Sequence, residues 1–162
     1  MIFLPPVIIE YVQPKTPQTF RALYDWGFAS PSGEGKGTLV VLVGLSDGKI
    51  IIELHALGER LMLLQGDKDN GYRIQIPRNN IDKRSHSLSG LPIPFLPELN
   101  DSHGLARLLT EGIGPGVKAS RKDKNGPKQL RWDGKDDRNE SCTVWLKRTR
   151  FEVIQDNSTN TK

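Results

Sequence analysis

Apolar residues fall in short runs separated by glycine, proline and aspartate, and the β-branched content of those runs predicts a mainly β chain. Val7-Ile8-Ile9-Glu10-Tyr11-Val12 reads as a first strand. Thr16-Pro17 reads as a helix cap with proline at the first helical position. Phe20, Leu23 and Tyr24 then stand at i, i+3 and i+4, the spacing of one helical face, so a short helix is expected until Trp26-Gly27 ends it. Ser30 to Gly37 is rich in serine and glycine and reads as a flexible loop. Thr38-Leu39-Val40-Val41-Leu42-Val43 is a strand, Asp47-Gly48 a hairpin turn and Ile50-Ile51-Ile52-Glu53-Leu54 the return strand. Leu61–Leu64 and Tyr72–Ile76 form a further pair, completing an antiparallel meander of about four strands.

The rest of the chain is less regular. Pro77, Pro92, Pro94 and Pro97 break any element over residues 77–100, which reads as a proline-rich surface excursion. Its apolar residues Leu91, Ile93, Phe95, Leu96 and Leu99 would then dock on a larger protein subunit. Leu105, Leu108 and Leu109 place one short helix over His103–Thr110. From 112 to 139 glycine, lysine and aspartate dominate, and a basic flexible loop is expected. Cys142–Lys147 and Phe151–Ile154 close the chain as one bent strand or two. The expected fold is α+β, mainly β. It is a single domain over 1–155 with an antiparallel meander, one or two short helices, a basic insertion and a disordered tail at 156–162.

Composition sharpens this picture in two places. No apolar run approaches the roughly 18 residues of a membrane span, and the Met1–Pro6 start lacks the basic region of a signal peptide, so no membrane partner and a cytoplasmic location are expected. The charge is also uneven. Residues 118–150 hold eleven Lys/Arg against five acids, a local net charge of +6 in a chain of net charge +4. Localised basic charge is what a polyanion partner requires.

The candidate chemical motifs are mostly accounted for by turns. Gly35-Lys36 is followed by Gly37 rather than Ser or Thr, position 30 is serine and a strand follows, so the phosphate-loop pattern fails. Asp67–Gly71 has its glycine fifth rather than sixth and Arg78 in the twelfth place, so it is not a calcium loop. His55, His86 and His103 lack metal-ligand spacing, and Cys142 is the single cysteine; no metal or cofactor is expected. Asp25, Glu34 and Asp47 supply the residue types of a small metal-dependent nuclease, although Asp47 already serves a turn.

Glu111–Ala119 contains Gly112-Ile113-Gly114-Pro115, which resembles the hairpin of helix–hairpin–helix DNA-binding modules. The second helix of such a module would run through Asn125-Gly126-Pro127 and has almost no apolar residue, so the module itself is rejected. Glycine-rich loops of this kind also resemble the RNA-gripping loops of CRISPR effector subunits. That resemblance is confined to these residues and implies backbone amides facing a phosphate.

Tryptophans stand beside the cations. Lys118, Arg121, Lys122, Lys124, Lys128, Arg131, Trp132, Trp145, Lys147, Arg148 and Arg150 are the candidate nucleic-acid-binding residues. If Val144 and Leu146 face inward on a strand, Trp145 and Lys147 point outward, where an indole stacks on a base; otherwise Trp145 belongs to the core and the basic residues line its rim. The function expected is a non-enzymatic RNA- or single-strand-binding subunit of a ribonucleoprotein complex, with a CRISPR-type effector as one setting. The alternatives are an assembly factor that binds an acidic protein partner, and the nuclease.

Overall fold

The computed structural model describes residues 18–155. The expected strand at Val7–Val12, the cap at Thr16-Pro17 and the 156–162 tail lie outside these residues. Nine strands and one α-helix follow in order. They are β1 (Thr19–Ser30), β2 (Gly33–Gly44), β3 (Ile50–Ala56), β4 (Glu59–Asp67), β5 (Gly71–Ile76), β6 (Ile81–Ser85), α1 (Ser102–Glu111), β7 (Lys118–Asp123), β8 (Gly126–Lys135) and β9 (Ser141–Gln155). All nine join one antiparallel sheet in the order β6-β5-β4-β3-β2-β1-β9-β8-β7. The mainly β, α+β expectation holds at that level.

The expected helix through Phe20, Leu23 and Tyr24 is a strand. Phe20, Ala22, Tyr24 and Trp26 are all buried, an alternation of period two that runs longer than the helical triplet, while Leu23 sits on the other face. Trp26-Gly27 is therefore mid-strand, and the expected loop at Ser30–Gly37 shrinks to a turn before β2. The meander reads as expected from β2 to β5. Asp47 Oδ1 accepts the Lys49 N–H at 3.0 Å in the β2–β3 turn. Asp67 Oδ1 accepts the N–H groups of Asp69 and Asn70 in the β4–β5 turn. The bond from the Asn70 N–H is the main reason the Asp67 carboxyl lies below its ordinary range. These carboxylates are occupied by turn amides, as the turn reading requires.

Residues 77–100 depart furthest from a surface excursion. After β6 the chain turns inward, and Leu88, Leu91, Phe95 and Leu99 enter the core with Ile93 and Leu96 half-buried against it. Phe95 packs edge-on to Trp26, ring centroids 5.1 Å apart, and its N–H donates to the Lys135 carbonyl at 2.7 Å. Phe95 thereby joins the strap to β1 and β8 on the inner face of the sheet. The apolar side chains that were expected to meet a larger subunit are therefore used inside the molecule.

Helix α1 follows this strap. Asp101 caps it by accepting the Gly104 N–H at 2.9 Å, and Gly112 ends it at φ 72°, where a side chain would be strained. Leu105, Ala106, Leu108 and Leu109 are buried. The helix touches β2 and β8, which have β1 and β9 between them, so it lies across the inner face of the sheet. Burying each leucine contributes about 1.5–3 kcal/mol.

The basic flexible loop expected at 112–139 is instead the β7–β8 hairpin. Asp123 Oδ1 accepts the Asn125 N–H at 2.8 Å in its turn. β8 alternates, with Leu130 and Trp132 inward and Arg131 and Asp133 outward, whereas every residue of β7 is exposed. An edge strand held by backbone hydrogen bonds needs no apolar residue, which is why hydropathy does not reveal it. The last two runs are a single strand, β9, with register shifts where it pairs with β1.

Candidate nucleic-acid interface

Register assembles the site. Lys118, Arg131, Trp145 and Gly27 are successive cross-strand partners over β7, β8, β9 and β1, and Ser120, Gln129, Lys147 and Asp25 form the next row. Residues in register share a face, and inward Leu130, Trp132, Val144 and Leu146 force these rows outward. Lys118, Ser120, Gln129, Arg131, Trp145 and Lys147, together with Ala119, Leu130 and Leu146, line a groove of about 420 Å³, and no carboxylate is among them. Lys118, Arg131 and Lys147 form no ion pair among the described residues. Ser120 Oγ donates to Gln129 Oε1 at 3.2 Å, which leaves the Gln129 amide N–H groups directed elsewhere.

Trp145 is the outward tryptophan. It is 37% exposed, against 2% for Trp26 and Trp132. Its indole leans over Gly27, where an added Cβ would stand 2.1 Å from Cζ2. Glycine inside a strand marks such a close approach, and Gly27 is the site residue that the sequence reading missed by placing it at a helix end.

Two expected binding residues are structural. Trp132 belongs to the core, and its indole Nε1–H donates to the Phe95 carbonyl at 2.7 Å, so it offers no surface for a base. Arg148 has a side chain only 4% exposed and is ion-paired with Asp123; its Nη1 donates to the Pro127 carbonyl at 3.4 Å. Its guanidinium also lies 5.5 Å from the Phe151 ring centroid. Burial alone would raise the Asp123 carboxyl, but the bonds from Arg148 and the Asn125 N–H outweigh it and hold the group below its ordinary range. Arg148 thus fastens the hairpin tip to β9 beyond the last β8–β9 pair, Gln129 with Lys147.

The remaining cations are exposed but apart from the groove. Arg121, Lys122, Lys124 and Lys128 lie along the β7–β8 hairpin toward its tip, with Arg121 at φ 54°, and Arg150 lies farther along β9 opposite Leu23. The glycine loop uses part of its amides within the fold. The Gly112 and Ile113 N–H groups donate to Leu108 and Arg107 carbonyls at the end of α1, and Pro115 has no N–H.

The carboxylates of the nuclease alternative are dispersed. Glu34 and Asp47 lie near opposite ends of β2, roughly 30 Å apart at the rise of a strand, and Asp25 faces outward between them. Among the described residues no group of three or more His, Cys, Asp or Glu is placed to hold a metal ion. Cys142 is buried, and burial, with the Asp136, Asp133 and Asp137 carboxylates, pushes its thiol up to about 11, so it is no nucleophile at neutral pH.

A plainer reading of the basic charge is protection of the sheet edge, since lysine on an edge strand discourages pairing with other chains. That accounts for Lys118, Arg121 and Lys122 on β7. It does not account for Arg131 and Lys147 on the two strands inside it, nor for an exposed tryptophan between them. No helix among the described residues is long and apolar enough to cross a membrane. No protein-family model matches the chain, and no curated protein matches it.

Proposed function

We propose that this protein binds single-stranded nucleic acid, RNA foremost, without catalysing a reaction, as a small cytoplasmic subunit of a ribonucleoprotein complex. The observation that carries this reading is the β7–β9 groove, where three cations outside any ion pair stand with an exposed indole and no lining residue is a carboxylate, Asp25 standing beside it as the cross-strand partner of Lys147. Lys118, Arg131 and Lys147 meet phosphates, and the exposed cations of the β7–β8 hairpin extend the same potential along a strand of nucleic acid. An acidic protein surface would satisfy the cations but gives Trp145 no particular role, so it ranks second.

The test is titration of a labelled single-stranded oligonucleotide at two salt concentrations. Binding should fall as salt rises, and the Arg131→Glu, Lys147→Glu double variant should weaken it at least tenfold, about 1.4 kcal/mol, with a shallower salt dependence. Absence of binding at low salt overturns the reading.

A further inference from the structure

We propose that the β7–β9 groove is a subsite for a single nucleotide, with one unpaired base against Trp145, its phosphate among Lys118, Arg131 and Lys147, and Gly27 as the residue that seats the indole. This rests on the nucleic-acid reading and narrows it. The groove takes a free nucleoside monophosphate as well as a strand, and it discriminates against duplex, whose bases are already paired and stacked.

Gly27 is the starting point. Glycine in the interior of a strand costs stability relative to a residue with a side chain, so its presence in β1 calls for a physical use. Here Cζ2, Cε2 and Nε1 of Trp145 fill the place of a Gly27 side chain, at 2.1, 2.3 and 2.7 Å from where a Cβ would stand. The indole is thereby braced on the sheet on one side and open on the other. A braced aromatic loses little conformational entropy when a ligand stacks on it. An alanine at position 27 would push the ring off its seat.

The polar groups are placed to match. Arg131 is the direct cross-strand partner of Trp145, and Lys118 is the partner of Arg131, so two cations lie in a line from the indole toward the sheet edge. Lys147 lies two residues along β9 on the same face, opposite Gln129. With its Oε1 accepting from Ser120, Gln129 keeps its amide N–H groups available to donate to a base carbonyl or a phosphate oxygen. At about 420 Å³ the space is at the small end of ligand sites and suits one nucleotide.

The experiment uses the intrinsic fluorescence of the full chain. Trp26 and Trp132 are buried, so quenching by an added nucleotide reports on Trp145. The probes are adenosine monophosphate, inorganic phosphate, a single-stranded oligonucleotide and its duplex. The monophosphate should quench at concentrations where inorganic phosphate does not, and the single strand should bind more tightly than the duplex. Read by titration calorimetry, because the Trp145 variants lack the reporting indole, Gly27→Ala and Trp145→Leu should each lower affinity for monophosphate and single strand about tenfold, while Trp145→Phe retains most of it. If Gly27→Ala fails to fold by circular dichroism, the contrast between Trp145→Leu and Trp145→Phe decides. If the single strand binds but Trp145→Leu matches the wild type, or inorganic phosphate competes as well as the monophosphate, the subsite is refuted and the nucleic-acid reading survives. If the monophosphate binds and the strand does not, the subsite stands and the ribonucleoprotein reading falls. If neither binds, both fall.

Discussion

The two ends of the sheet carry grooves of similar size and the same sign of charge, about 450 Å³ at β4–β6 and about 420 Å³ at β7–β9. At the first end Arg73 donates from Nε and Nη2 to both oxygens of Asp82, at 2.8 and 2.6 Å, and the Tyr72 hydroxyl donates to the Gly48 carbonyl at 2.6 Å. The hydrogen bonds from Arg73 hold the Asp82 carboxyl below its ordinary range. At the second end, among the described residues, the cation held in an ion pair is Arg148, which belongs to the hairpin anchor, and the three facing the groove form none, whereas at the first end one of the two lining arginines, Arg84, is in that state. The difference teaches that counting cations misleads. An arginine engaged bidentately by a carboxylate has its donor fork occupied, and an aromatic tied into the core offers no face.

The largest expected effect separates the two tryptophans of the β7–β9 end. Trp132→Ala should destabilise the protein by about 3–5 kcal/mol in urea denaturation, since it empties core volume and strands the Phe95 carbonyl. The same change at Trp145 should cost far less. Equal losses would mean that Trp145 is packed like a core residue and would erase the contrast between the faces. Next, Arg84→Glu at the β4–β6 groove should leave single-strand affinity within about twofold of wild type, against the tenfold loss expected for the β7–β9 double variant. Matching losses would show that only overall charge matters.

The smallest effect is on pH dependence. The Asp82 and Asp123 carboxyls titrate below their unfolded values, so the stability they contribute is fully present above the ordinary carboxylate range and is lost as pH falls through the depressed values. Asp82→Asn and Asp123→Asn should each flatten the acid limb of a stability–pH curve. A limb as steep as the wild type would show that the pair concerned contributes nothing.

The central meander and α1 were legible because each carries a periodic apolar pattern and a recognisable stop, Asp47-Gly48 in one case and Gly112 in the other. β1 was misread because Phe20, Leu23 and Tyr24 satisfy helical spacing while the longer alternation through Ala22 and Trp26 includes a small residue. β7 was invisible because no residue of it is buried. The strap at Leu88–Leu99 was placed outside because proline argues against regular structure, not against burial, and hydropathy alone does not say which core an apolar residue joins. At the site, the alternation with Val144 and Leu146 left Trp145 either outward or in the core, and the strand pairing turns it outward. Trp132 and Arg148 could be sorted only by pairing, since Trp132 faces inward with its partner Val144 and Arg148 lies past the end of the β8–β9 ladder. Gly27 had a signal, a glycine within a strand pattern, but it becomes readable only once β1 is recognised as a strand.

The first and last strands described, β1 and β9, are neighbours in the interior of the sheet, with Thr19 paired to Gln155. The seam between the two halves is thus stitched by residues more than a hundred positions apart, and its closure entropy is met only after both halves have formed. Folding is expected to be slow and late in its commitment. Because Thr19 and Gln155 emerge side by side, a short connection between them, with new ends opened at the exposed Leu57-Gly58 turn, would preserve every described strand pairing while turning that late seam into a local hairpin and making β3–β4 the long-range pair instead.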